Sequence, residues 1–138
     1  MRTVADVPFT EQDQATLRQM FDATTRFINA GDWASWAAIY TEDGLLQPPN
    51  APSIKGRAKL LEWGQAFPPI EKLAFSDVEV HGDGKLAWGV SRYTLKLKDQ
   101  SSDTGKQLVV FRRAADGKWR VMAASFSSDL PVPGSIDQ

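Results

Sequence analysis

Few residues in this chain could do chemistry. Histidine occurs once, at His81, and cysteine not at all. A single imidazole can act as a general base near neutral pH, provided a partner group lies within reach. His81 precedes Gly82-Asp83-Gly84, a turn sequence, where a solvent-exposed ring is the competing expectation. Glu42 and Asp43 are adjacent carboxylates. Neighbours along a helix do not face one another, so they make a poor acid–base pair, and capping or turning the chain is the favoured role of Asp43. Tyr40 brings a hydroxyl onto an otherwise apolar face, and a buried phenol needs a partner. Arg92, Arg112 and Arg113 fall on extended segments, where arginine either meets solvent or binds a carboxylate. Without cysteine, a metal site would need carboxylates at ligand spacing, and none shows it. No metal or cofactor is therefore expected. No glycine-rich loop opens a helix to cradle phosphate, and no serine sits in a strand-to-helix elbow.

The whole chain limits what those groups could serve. Its 138 residues suit one domain, large enough to bury a core without staples. Sixteen basic and 17 acidic residues leave a net charge of -1, which argues against nucleic acid and against a polybasic membrane anchor. Met1 to Phe9 lacks an apolar run of signal-peptide length, and no stretch approaches the ~20 apolar residues of a spanning helix. A cytoplasmic location is the expectation by default. Five tryptophans and seven phenylalanines are many for this length, and such rings fill cores, pockets and interfaces.

Helical patterns fill the first half and strand patterns the second, the mark of an α+β fold. Thr10 and Asp13 have capping-box spacing, so a helix should start near Glu11. Leu17, Met20, Phe21, Thr24, Phe27 and Ile28 form its apolar stripe, and Gly31 should stop it. Asp32 can cap a second helix carrying Trp33, Trp36, Ala37 and Tyr40 on one face, ended by Asp43-Gly44. Leu45 to Gln47 reads as a short extended piece, stopped by Pro48, Pro49 and Pro52. A third helix, from about Arg57 to Phe67, presents Leu60, Trp63, Gly64 and Phe67. Four strands follow: Phe75–His81 with one slip that reads as a bulge, Leu86–Lys98, Lys106–Arg113 and Trp119–Ser127. A polar loop is expected over Gln100–Gly105, a hairpin turn at Asp116-Gly117, and a loose tail from Pro131. Packed together, the strands should curl into a cone around the helices and leave a cavity at its open end.

The order Gly31-Asp32-Trp33, Ile39-Tyr40-Thr41-Glu42-Asp43-Gly44, Gln47-Pro48-Pro49 and Lys55-Gly56-Arg57 resembles the helical half of the nuclear transport factor 2-like superfamily. Asp116-Gly117-Lys118-Trp119-Arg120-Val121 and Ser127-Ser128-Asp129-Leu130-Pro131 resemble its C-terminal hairpin. The similarity is closest to the SnoaL-like branch, largely of unknown function, and runs from about Thr10 to Pro131. It implies a single domain over 1–138 with a cystatin-like α+β roll: a cone-shaped, curved antiparallel sheet wrapped around three N-terminal helices. It also implies a homodimer packed through the outer sheet face. It implies no activity, because the scaffold hosts unrelated functions.

Ketosteroid isomerase, an enzyme of that fold, tests the point residue by residue. Its general base falls on Pro48, or on Gln47 with a one-residue slip. Its oxyanion-side acid falls on Val109, and its first-helix tyrosine on Thr24. Proline and valine can neither abstract a proton nor donate to an enolate, so that reaction is not expected by that route. The comparison turns Val109 inward, and with it Gln107 and Phe111 by the period of two. Arg113 then shares their face near the strand end and could bind a carboxylate at the mouth. The inward set on the last strand would be Met122, Ala124 and Phe126. With Trp36, Tyr40, Leu46, Trp63 and Phe67 these make an aromatic wall, which either lines a pocket or meets and fills it. Gln107 is the expected partner of Tyr40. Leu108, Val110, Trp119, Val121 and Ala123 would face outward, too apolar to meet water alone.

Three readings follow. The first is a homodimeric domain that binds a small apolar or aromatic molecule without assignable catalysis. The second is an isomerase, hydrolase or cyclase using Tyr40, Asp43, His81 and Arg113 as a displaced acid–base set. The third is a dimerisation module with a filled cone.

Overall fold

The structure is a computed structural model that describes residues 8–131. The tail beyond Pro131, expected to be loose, lies outside the described residues. Helix α1 spans Glu11–Asn29, α2 Trp33–Ala38 and α3 Arg57–Ala66. The strands are β1 Tyr40–Gln47, β2 Ile54–Lys55, β3 Ile70–Gly82, β4 Leu86–Leu97, β5 Ser102–Arg113 and β6 Trp119–Ser128. The first helix starts where the capping box places it. The Thr10 hydroxyl accepts from Asp13 N at 3.0 Å, and Thr10 N donates to Asp13 Oδ2 at 2.9 Å. Gly31 follows the helix at φ +71°, a left-handed conformation glycine adopts without a Cβ clash. Asp32 then accepts from Ser35 N and opens α2.

The six strands form one sheet in the order β2-β1-β6-β5-β4-β3. Every ladder is antiparallel except β1 with β6. That parallel pair arises because β1 leaves α2 and joins the free edge of the last hairpin directly. Helix α1 packs against β3, and the core gathers Leu17, Phe21, Leu60, Val80 and Phe111 between helices and sheet. Gly89 lets the Phe21 ring lie on the sheet, since a Cβ there would stand 2.8 Å from the ring.

Several expected boundaries move. The second helix ends at Ala38, not at Asp43-Gly44, and Tyr40 begins a strand. Ile39 O already accepts from Val121 N at 2.9 Å, so pairing with β6 pulls the chain out of the helix. The strand expected from Phe75 starts at Ile70, and its slip is a bulge at Ser76/Glu79 with Asp77 at φ +52°. The polar loop expected over Gln100–Gly105 contracts to a tight turn, closed by Leu97 N donating to Ser101 O at 2.9 Å. Ser102 to Gly105 are already paired with β4, so their polarity marks a sheet rim and not a loop.

The last strand holds the correction that matters most. Val110 pairs with Ala123 but Phe111 pairs with Val121, so Met122 is one residue too many for its partner strand. A bulge of this kind shifts the alternation of faces. Ala124 stays inward as expected. Beyond the bulge Val121 and Trp119 are buried, where strict alternation turned them outward.

Candidate functional site

The helices and the concave face of the sheet leave a cavity open to the centre of a water molecule over about 100 Å³. Trp33, Trp36, Trp63 and Phe67 close one side. Their rings meet edge-on or tilted, with centroids 5.1–6.4 Å apart. Gly64 makes room for this cluster, because a Cβ there would sit 2.3 Å from the Trp33 ring. The sheet supplies Leu46, Gln107, Val109, Phe111, Ala124 and Phe126. Ten of the eleven side chains expected on the wall are thus on it. Met122 is not, because the bulge puts Val121 there instead. The wall also takes Met20, Phe21 and Ile28 from α1, Trp33 and Ile39 at the two ends of α2, and Ile70, Leu73, Phe75, Tyr93 and Leu95 from β3 and β4, none of them in the expected set, together with Thr24, which the family resemblance had pointed to. The α1 residues were legible as an apolar stripe. The β3 and β4 residues carried no signal beyond alternation.

The wall carries no Lys, Arg, His, Asp or Glu. Its polar side-chain groups are the hydroxyls of Tyr40, Tyr93 and Thr24, the amide of Gln107 and the indole N–H groups of Trp33, Trp36 and Trp63. Thr24 donates to Met20 O at 2.8 Å within its own helix. Gln107 Nε2 donates to Ser91 Oγ at 3.2 Å, so Ser91 and not Tyr40 is its partner. Tyr93 donates to Asp103 Oδ2 at 2.7 Å, and Ser128 Oγ donates to Asp103 Oδ1 at 2.5 Å. Burial first, then the Asp103 hydrogen bond and charge, raise the Tyr93 phenol above its ordinary value. Tyr40 is 3% exposed, and its hydroxyl has no partner among the described residues. Burial alone pushes that phenol up. Arg57 grips its backbone from α3, with Nε and Nη2 at 2.8 and 2.6 Å from Tyr40 O. Gly44 leaves the space its ring occupies.

The other candidate groups lie elsewhere. Asp43 is exposed on β1 and accepts from the Thr41 hydroxyl at 2.9 Å. That bond and one from its own backbone outweigh slight desolvation and hold its carboxyl below the usual range. His81 is exposed on the outer sheet face, stacked on Trp88 at 4.5 Å and 3.5 Å from Glu79. Arg113 sits at the far end of β5 from Tyr93. It donates to Asp13 Oδ2 at 2.8 Å and to Gly84 O at 2.9 Å, with its guanidinium 4.4 Å over the Trp119 ring. It braces α1 to the last hairpin through Asp13 and is not among the side chains of the cavity wall. Tyr40, Asp43, His81 and Arg113 therefore do not converge, and no group of three His, Asp or Glu side chains among the described residues could hold a metal.

The outer sheet face exposes Trp88 (44%), Leu108 (45%) and Leu86, with Val90 and Val110 half-buried between them. No helix among the described residues is long and apolar enough to cross a membrane.

A family model described as a SnoaL-like domain matches residues 17–122. Comparison with curated proteins finds no significant match. Among solved structures, an NTF2-like protein with a cystatin-like fold from Novosphingobium aromaticivorans superposes with a TM-score of 0.76 at 16% identity, covering 90% of this chain and 84% of that one. A ketosteroid isomerase-like protein from Erwinia carotovora atroseptica gives 0.78 at 22%, covering 88% and 100%. A Catenulispora acidiphila protein in complex with S-DNPA gives 0.73 at 15%, covering 87% and 96%. At these identities the likeness is one of fold, and the cone-shaped α+β roll described above is that fold.

Proposed function

The chain belongs to the SnoaL-like domain family, and on that footing we propose that it binds a small apolar or aromatic molecule inside the cone. One observation carries the reading: the largely apolar wall does not close on itself but surrounds about 100 Å³ of space. Tight packing is the rule in protein interiors, and a concave, mostly apolar cavity with a few polar groups is the usual form of a small-molecule site. The Catenulispora acidiphila protein that shares this fold was solved in complex with S-DNPA, which supports small-molecule binding on such a scaffold. Steroid-type proton transfer has little support. Pro48 is off the wall, Val109 on it is inert, and the Thr24 proton is committed to Met20 O.

The test is thermal denaturation and tryptophan fluorescence with indole, naphthalene and ethylbenzene. A ligand at a hundred times its Kd should stabilise the fold by about 2.7 kcal/mol, and Ala124→Leu, which fills the cavity, should abolish the effect. No stabilisation by any of the three, or equal stabilisation of Ala124→Leu, would count against binding inside the cone. The exposed Trp88, Leu108 and Leu86 favour a second element of the reading, a homodimer closed over the outer sheet face. Light scattering showing only monomer at micromolar concentration would remove it.

A further inference from the structure

The two tyrosines on the cavity wall differ in where their protons go. Tyr93 lies flat over Gly105, where a Cβ would stand 2.7 Å from its hydroxyl oxygen. In that position its O–H points to Asp103, at 2.7 Å. The carboxylate is held in turn by Ser128 from β6, so this orientation is enforced from two strands. The Tyr93 oxygen therefore has lone pairs to offer and no proton. Tyr40 is the converse. Its hydroxyl has no partner among the described residues, and no fully occluded side-chain N or O atom there lacks one, so this oxygen opens onto the cavity it lines. Arg57 and Gly44 fix the backbone and ring that carry it, and no described residue takes its proton. An unpaired buried hydroxyl is costly, and a ligand acceptor would relieve it.

Resting on the binding reading above, we infer that the cavity selects a neutral molecule carrying a carbonyl oxygen, to which Tyr40 donates, and a hydroxyl, which donates to Tyr93. Carboxylates are disfavoured. No cation faces the cavity, and the Asp103 charge stands behind Tyr93, so an anion would enter uncompensated. Asp103 is a positioning residue, since it acts on the ligand through the Tyr93 proton.

The experiment compares ethylbenzene, acetophenone, 4-ethylphenol, 4-hydroxyacetophenone and 4-hydroxybenzoate on the wild-type protein, read by thermal shift and calorimetry. Each neutral hydrogen bond should tighten binding about 3- to 10-fold. The order expected is therefore 4-hydroxyacetophenone tightest, the singly substituted probes next, ethylbenzene weaker, and 4-hydroxybenzoate weakest. Tyr40→Phe should erase the carbonyl gain alone, and Tyr93→Phe the hydroxyl gain alone. Asp103→Ala frees the Tyr93 proton, so the hydroxyl gain should fall while a carbonyl gain appears at that end even in the Tyr40→Phe background. Asp103→Asn, which keeps an acceptor for that proton, should retain the wild-type order. If ethylbenzene binds as well as 4-hydroxyacetophenone, or 4-hydroxybenzoate binds best, this inference is overturned while the cavity reading stands. If no probe binds, the cavity reading fails and carries this one with it. The probe order on unmodified protein decides the matter even where a variant does not fold.

Discussion

Replacing Asp13 by asparagine should cost this domain a large share of its stability, and the cost should depend on pH in a defined sense. The carboxylate accepts from Thr10 N at 2.9 Å, Arg113 Nη2 at 2.8 Å and Trp119 Nε1 at 3.2 Å. It thus ties the start of α1 to the ends of β5 and β6, across one hundred residues of sequence. The pair is partly buried, the Asp13 side chain at 13% exposure and that of Arg113 at 23%. Bonds to charged groups contribute about 1.5–3 kcal/mol each in favourable settings and are not additive. Breaking a fully buried pair costs about 3–5 kcal/mol. Residual solvent access and the amide that remains reduce this, so about 2–3 kcal/mol is the expectation at pH 7. At this chain length that should lower Tm by roughly 10 °C. Desolvation raises the Asp13 carboxyl, but the combined hydrogen bonds from Arg113, Thr10 and Trp119 outweigh it and hold it below its unfolded value of 3.8. A depressed folded value means stability that is complete above the unfolded value and is lost as pH falls toward the folded one. The wild-type advantage over Asp13→Asn should therefore be constant from pH 7 to about 5 and should shrink steadily below pH 4. Urea denaturation followed by circular dichroism at several pH values measures it. Equal midpoints at pH 7, or a difference that grows in acid, would refute the assignment of this carboxylate as an ionised brace.

Three further outcomes test the placement of the last strand and the two sheet faces. Val121→Ala should lose about 2 kcal/mol and Met122→Ala less than half of that, because the bulge buries Val121 and leaves Met122 off the wall; denaturant midpoints of the two variants decide it, and the reverse order would restore strict alternation. Gly64→Ala should cost about 1–3 kcal/mol, since its Cβ would meet the Trp33 ring at 2.3 Å, and the tryptophan emission should shift as the cluster is displaced; an unchanged spectrum and melting curve would contradict that packing. On the proposed homodimer through the outer sheet face, Leu108→Lys should leave the core intact and give a monomer in light scattering where the wild type gives a dimer; equal masses for the two would count against that face as the interface.

The sequence alone determined the elements whose signals are local. Thr10 and Asp13 set the start of α1, Gly31 and Asp32 its end and the next beginning, and alternation revealed the long strands. Helical spacing likewise put Trp36 on the apolar face of one helix and Trp63 and Phe67 together on the apolar face of another. Tertiary structure decided what depends on partners distant in the chain. Pairing with β6 turned Tyr40 from helix into strand, and a one-residue mismatch with β5 at Met122 exchanged the faces of Val121 and Trp119. Tyr93 became an acceptor only because Asp103, on the neighbouring strand, takes its proton. Helix caps and alternation are properties of a few consecutive residues, whereas register and proton placement are settled between strands, and no single strand carries the information for its neighbour.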